Sequence, residues 1–391
     1  MIYNMNQITV RQVKTVREMD DFVHLPHRLY RHTPQYVPDL DQDIRDTFNP
    51  AKNPGLEYSD IQAFVAYDKE GRCVGRIAGI INRRANEKWK NQDVRFGLIE
   101  FIDDKAVSAA LLQAVADWGK ERGMKNIHGP LGISDFDKEG MLVEGFEEMG
   151  SMVTIYNLPY YPHHMERLGF KKEVDWVQIQ IDIPKEVPQK YVRVANLVKE
   201  MFGLHVKKLT RKDVFEGGYG KRVFDLLNIA YSPLFGYSAF TDKQIDAFLH
   251  RYIPLMNLDM ISVIEDKHGR FIGAGISMGS LSHALRKSNG KLLPWGWLHL
   301  LKALKLKHED KAELLLIGIH PDYQGLGVNA LFFNDLIPIY NRLGYTWAET
   351  GPQLEDNVRE LSQWKPLHPK IVKRRRCYTK EISSINESYM V

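Results

Sequence analysis

The chain has 391 residues, 44% hydrophobic and 26% charged, with a formal net charge of +4. That length suits two or three domains, and that composition is ordinary for a water-soluble globular chain whose charge is too mild to argue for nucleic acid. Cys73 and Cys377 are too few and too far apart for a disulfide scaffold or a metal site, and neither a signal peptide nor a membrane-length apolar run occurs, so a cytoplasmic protein is expected.

In chain order, the first half begins with a strand over Gln7–Val13 and a helix near Val16–Tyr30. A hairpin follows over 64–82, two apolar strands joined by an Asp/Lys/Gly turn. Then come a strand at Phe96–Phe101, a helix at Ala106–Arg122 and a strand at Asn126–His128 that runs into Gly129-Pro130. The polar, Gly-rich run from Gly129 to Phe146 reads either as a loop that packs the protein together or as part of an active site. A strand near Trp176–Ile183 closes this half. Pro184 and Pro188 then interrupt both helix and strand, which predicts domains over 1–185 and 186–391.

The second half repeats the order. A strand at His205–Thr210 and helices near Asp213–Ala230 and Asp242–Met256 precede a hairpin over 261–278 that echoes the first. An insertion over 281–312 carries Trp295, Trp297, several leucines and Lys302, Lys305 and Lys307. It reads either as an interfacial helix or lid, or as a helix buried against its own domain. A strand at Glu313–Ile319, a helix at Asn329–Leu343 and a strand at Thr346–Thr350 complete the repeat. Gly123 and Gly344 end matching helices ahead of matching strands that each reach Gly-Pro. The basic run Lys373–Arg376 reads as a solvated edge of the last strand rather than a nucleic-acid or membrane patch. The whole is an α/β chain of two copies of one unit, each a mixed, mostly antiparallel sheet flanked by helices.

The halves differ at one place. In the second, the strand ending at Ile319 passes through His320, Pro321 and then Gln324-Gly325-Leu326-Gly327-Val328-Asn329 directly into a helix. Backbone N–H groups there converge on one point with the positive end of the helix dipole behind them, which suits a phosphate or pyrophosphate. Gly325 and Gly327 permit unusual dihedrals and close approach. The loop is neither G-x-G-x-x-G nor a P-loop. In the first half the matching turn, Ile102-Asp103-Asp104, has no glycine and two carboxylates, which would occupy the helix dipole themselves and repel an anion.

The 324–329 loop resembles the pyrophosphate loop of the GCN5-related N-acetyltransferase (GNAT) superfamily, Gln/Arg-x-x-Gly-x-Gly/Ala, with Asn329 in place of the last small residue. Tyr30–Pro38, Val74–Ile77, the 129–146 run and Asn157–Tyr161 resemble a tandem GNAT group, the bacterial ceramide synthase-like family. The resemblance implies acetyl-CoA or a longer acyl-CoA as acyl donor, bound at the second-half loop only. Ile317 and Ile319 would pair with pantetheine, and Asn357 would open the last helix of the cofactor site. The basic run Lys373–Arg376, read first as a solvated edge, has as its alternative a part in holding CoA phosphates.

Thioester aminolysis needs proximity, an oxyanion donor and a base for the ammonium proton. Glu349 and His320, each at the end of a strand beside the acyl site, are the candidate bases. Trp364 stands where many members carry a proton-donating tyrosine, which leaves Tyr231, Tyr237 and Tyr323 as alternatives. No metal is expected. The resemblance implies an N-acyltransferase whose acceptor is a long-chain, sphingoid-type base, and the Trp- and Lys-bearing insertion over 281–312 adds the expectation of peripheral contact at the inner membrane surface. The alternatives are an acetyltransferase for a small soluble amine and a non-catalytic GNAT-fold binding protein.

Overall fold

The computed structural model describes residues 2–5, 8–306 and 308–385, so Gln7 of the first expected strand and Lys307 of the insertion lie outside it. The chain forms two compact units that do not follow a single cut. One holds residues 1–176, 282–300 and 373–391, the other 177–281 and 301–372.

In the first unit, β1 (Ile2–Met5) and β2 (Ile8–Gln12) precede α1 (Val16–Leu29), α2 (Asp41–Thr47), β3 (Ser59–Tyr67), β4 (Cys73–Asn82) and α3 (Arg83–Trp89). Next come β5 (Asp93–Phe101), α4 (Lys105–Lys120), β6 (Asn126–Gly129), β7 (Met141–Glu144), α5 (Tyr160–Arg167) and β8 (Lys171–Asp182), whose first half belongs here. Strands β1 to β5 pair antiparallel in sequence order, and β5 pairs parallel with β6. Thr15 and Glu18 form a reciprocal capping box that starts α1. Helix α4 is apolar almost all round and buried. It lies tight on β4 because Gly75 carries no side chain: a Cβ there would meet Leu111 at 2.7 Å and Val107 at 2.8 Å.

The second unit begins within β8 and continues with α6 (Gln189–Phe202), β9 (His205–Lys207), α7 (Arg211–Phe215), α8 (Tyr219–Ala230) and α9 (Asp242–Tyr252). The helix expected over Asp213–Ala230 is broken because Gly217-Gly218 interrupts it, Gly218 taking a left-handed φ of 73°. Then follow β10 (Ile261–Glu265), β11 (Phe271–Gly279), α10 (Ser282–Ser288) and α11 (Gly296–Lys305). The last run is β12 (Lys311–Ile319), α12 (Asn329–Leu343), β13 (Trp347–Thr350), β14 (Gln353–Leu354) and α13 (Val358–Ser362). The sheet order is β9-β10-β11-β12-β13 and then the second half of β8. Only β12 and β13 run parallel among these neighbours. Helix α12 crosses behind this parallel pair and buries Leu331, Phe332, Leu336 and Tyr340 in the core.

Strand β15 (Lys370–Glu381) returns almost wholly to the first unit, where it sits between β6 and the first half of β8. The basic run on it is not a solvated edge. Lys373 and Arg375 are each 1% exposed. A central strand points alternate residues into both faces of its sheet. Arg375 donates to the Ile155 carbonyl, and Arg376 forms a two-pronged bond to Asp175 at 2.8 and 2.9 Å. That pairing holds the Asp175 carboxyl below the usual carboxylate range in spite of its burial. With its cations engaged inside the first unit, the run does not present the free basic patch that CoA phosphates would need.

Candidate active site

Strands β12 and β13 stay paired only from Lys311 to Leu314. Beyond that β12 runs on to Ile319, while the chain after Thr350 turns off, pinned by the Gly351 N–H on the Leu314 carbonyl at 2.8 Å. The result is a V between two parallel strands. The register with β11 slips at Ile276/Ser277, so Leu315 is an extra, bulged residue at the point where the V opens. Above the bulge the His320 N–H bonds the Ile272 carbonyl, so the backbone groups of Gly318 and His320 face β11. Those of Ile317 and Ile319 therefore turn into the V. Two side chains sit on them: the Tyr231 hydroxyl donates to the Ile317 carbonyl and the Gln324 amide to the Ile319 carbonyl, both at 2.9 Å.

The loop that ends this strand has the geometry of an anion cradle. Gly325 and Gly327 have φ of 78° and 82°, and a Cβ on Gly327 would come within 2.7 Å of Val194. No side chain caps α12 at Val328. Among the described residues, no hydrogen-bond partner meets the N–H groups of Gly325, Gly327, Val328 and Asn329. Bare donors at a helix start call for an anion or water. The Asn329 side chain points elsewhere, to Gln363 at 3.4 Å.

Behind the V lies a hollow of about 540 Å³, mouth included, between sheet and α12. Leu314, Leu316, Ile317, Phe333, Leu336, Ile337 and Trp364 are among the residues that line it. Its walls are almost wholly apolar and are suited to a hydrocarbon.

The expected bases are already engaged. Glu349 is buried and accepts from Lys311 at 2.7 Å and Gln178 at 2.8 Å. Against the pull of burial, Glu349 and Glu313 raise the Lys311 pKa and keep it charged. His320 caps the short turn after β12, accepting from the Asp322 N–H at 3.3 Å, and lies 3.3 Å from Arg270. Asn357 caps α13, its side chain accepting the Glu360 N–H. Of the alternative tyrosines, Tyr231 is bonded to the strand edge. Tyr237 donates to Asn228, and Tyr323 packs near His320 and Phe202.

One group was not singled out from the sequence. Glu360, half-buried on α13, accepts from Gln353 Nε2 at 3.1 Å. Gln353 in turn accepts from the buried Trp364 indole at 3.1 Å. Burial pushes the Glu360 carboxyl up to about 7. Its charge helps raise the pKa of Tyr231, which burial raises first. Glu360 follows Asn357 by the capping interval, which gives a reader of the sequence a helix start but no hint of a perturbed acid.

The matching V of the first unit is closed. There β5 also slips register against β4, near Ile77, and parts from β6 after Arg95. The Phe101 N–H bonds the Tyr161 hydroxyl at 3.1 Å and its carbonyl takes the Tyr160 hydroxyl. The Leu131 N–H takes the Phe96 carbonyl at 2.9 Å, so the start of the Gly129–Phe146 run serves as plug. Asp104 caps α4, accepting the Ala106 N–H at 2.7 Å. Glu100 accepts from both Tyr30 and Tyr161. Elsewhere in this unit Cys377, far from any other cysteine in sequence, bonds Glu173 at 3.4 Å, and His128 bonds the same carboxylate at 3.1 Å.

No family model matches the chain. In sequence it is 27% identical over 385 residues to Protein YghO of Escherichia coli, covering 95% of each chain. It is 28% identical over 322 residues to a bacterial ceramide synthase of Caulobacter vibrioides, covering 81% of this chain and 82% of that one. Among solved structures it is similar to a tandem GNAT protein from the clavulanic acid biosynthesis pathway, with a TM-score of 0.55 at 10% identity over 96% of this chain and 98% of the other. A GCN5-related N-acetyltransferase from Sphaerobacter thermophilus gives 0.53 at 12% identity, over 97% and 96%. The chain therefore has the tandem GNAT fold along nearly its whole length, and its sequence resembles bacterial ceramide synthase over most of it.

Proposed function

We propose that this protein is an N-acyltransferase that moves an acyl group from a CoA thioester to an amine, using the second unit. The observation that carries this reading is the bare, two-glycine start of α12 beside the open edge of β12. The loop N–H groups would take the pyrophosphate, and the Ile317 and Ile319 backbone would pair with pantetheine amides. The donor's thioester would then rest near the Leu315 bulge, where a backbone N–H can meet the developing oxyanion. The first unit has no such cradle, since Asp104 already occupies the start of α4.

The apolar hollow behind the V favours a long acyl or alkyl chain over a small polar amine. Similarity to a bacterial ceramide synthase supports a long-chain base as acceptor. Helix α11 adds a means of reaching such substrates. None of its residues is buried, Trp295 ahead of it is 69% exposed, and Trp297, Leu298 and Leu301 are exposed too. From 282 to 306 there is no acid, while Arg286, Lys287, Lys291, Lys302 and Lys305 are present. We propose that this segment rests on an anionic membrane surface, where each lysine contributes about 1 kcal/mol.

The test is thiol release from acetyl-CoA and from long-chain acyl-CoA, with long-chain and short-chain amines, together with flotation on anionic vesicles. Faster transfer between long-chain partners, and vesicle binding that weakens with salt and in Trp297→Ser, is the expected result. Equal or better use of a short soluble amine without flotation would replace this reading by a small-amine acetyltransferase. Absence of CoA binding would favour a non-catalytic binding protein.

A further inference from the structure

The first unit holds a side-chain cluster that acyl transfer by the second does not use. His128 on β6, Cys377 on β15 and Glu173 on β8 come from three neighbouring strands of one sheet, in the order β6-β15-β8. His128 stands opposite Thr379, so Cys377, two residues away along β15, shares its face of the sheet. Glu173 meets both. The Cys377 thiol donates to its Oε2 at 3.4 Å, and the His128 Nδ1 lies 3.1 Å from the same oxygen. The three donor atoms all lie within 4.8 Å of one another. We propose that His128, Glu173 and Cys377 form a binding site for a zinc ion that clamps β15 between β6 and β8.

Donor chemistry selects the metal. Thiolate, imidazole and carboxylate together suit zinc, whereas magnesium and calcium take oxygen alone. Geometry agrees. At ordinary zinc bond lengths, tetrahedral neighbours lie roughly 3.3–3.6 Å apart, so the two measured edges need open by about 0.2 Å. The remaining edge, between imidazole and thiol, starts from at most 4.8 Å. Solvent reaches the cluster through Glu173, whose side chain is 25% exposed, while His128 and Cys377 are buried behind it. An ion can enter from that side, and water can fill its fourth position.

The charges balance as well. The ion displaces the thiol proton, which leaves to water, and the resulting thiolate and the carboxylate neutralise the dication. A nucleophilic cysteine is a poorer account of the same residues. Cys377 is 0% exposed, and its sulfur bonds the carboxylate rather than the imidazole that would activate it. The three ligands lie at 128, 173 and 377, so no local spacing could announce them; β15 returning to the first sheet brings them together.

The experiment uses the full chain, stripped with a chelator and then titrated with Zn²⁺ or Co²⁺. Wild type should take up one equivalent of Zn²⁺ and melt at a higher temperature than the stripped protein. With Co²⁺ it should show the near-ultraviolet charge-transfer band of a metal-bound thiolate. Cys377→Ser should lose that band, and Cys73→Ser should keep it. Glu173→Gln, the change at the partly exposed ligand, should bind Zn²⁺ roughly 100-fold or more weakly, since even the outer partners of a ligand are worth about 10–100-fold. The zinc-induced rise in melting temperature is compared, not the melting temperature itself, so a variant that packs less well does not imitate a lost ligand. If Cys377→Ser does not fold, Glu173→Gln and the wild-type cobalt spectrum still decide. Wild type that binds no Zn²⁺ or gives no charge-transfer band overturns the site. So does a band that depends on Cys73, or zinc affinity that Glu173→Gln retains.

Discussion

The two units share a strand order, a register slip and a parallel pair that splays, yet they finish the splay in opposite ways. In the first, tyrosine hydroxyls and a returning backbone satisfy the edge of β5, and a carboxylate caps the helix. In the second, side chains cover two carbonyls and leave the loop donors bare. A fold that creates an open strand edge must satisfy it from within or bind something there. One copy of the unit took each course, and the choice rests on a few residues.

Four substitutions put that contrast to the test. The largest effect is expected from Gly327→Glu, which sets a carboxylate in the cradle and strains a left-handed residue against Val194. CoA affinity should fall roughly 100-fold or more, since like charges in contact cost several kcal/mol. Retained affinity by calorimetry would place the cofactor elsewhere. Next, Tyr161→Phe in the first unit leaves the Phe101 N–H and one bond of Glu100 without their donor or acceptor. About 1–3 kcal/mol of stability should be lost in denaturant titration, with CoA binding unchanged.

A similar change in the second unit, Glu360→Gln, should act in the other direction on stability. The folded carboxyl has its pKa raised to about 7 by burial. An acid whose folded value exceeds its unfolded one gives stability that is whole below about 4.3 and is lost as pH rises through 7. The glutamine variant, which cannot ionise, should therefore outlast wild type by about 1–3 kcal/mol at pH 8 and match it near pH 4, as thermal melts at the two pH values would reveal. A variant equally stable relative to wild type at both would mean that the carboxyl is not perturbed. The smallest effect belongs to Asp104→Ala. Losing the cap should cost about 1 kcal/mol without creating CoA affinity, because the tyrosines and the 129–133 backbone still fill the V. New CoA binding would show that the carboxylate alone had kept it out.

Much of this was legible in the residues. The repeat, the hairpins and the Gln324–Asn329 loop follow from local pattern, because glycine at a strand–helix turn has a local physical cause. The asymmetry of the two helix starts was legible too, since Asp104 is its own cap. Glu360 was not, because what sets its chemistry is burial and the amide of Gln353, brought to it by tertiary folding. Glu349 looked well placed by its strand position, but Lys311, far off in sequence, is its partner. The basic run was misread because charge in a strand predicts solvent unless partners such as Asp175 and the Ile155 carbonyl are known.

The position of β15 has a consequence for biosynthesis. The sheet of the first unit needs a strand encoded near the end of the message, between two made before residue 177. At the usual pace of translation, roughly 10–40 s separate the emergence of β8 from that of β15. Through that interval the facing edges of β6 and β8 lack the strand that joins them. The N-terminal unit, made first, is thus the one that must be finished last, and a nascent chain stalled before residue 373 carries an incomplete sheet however much of its length has been made.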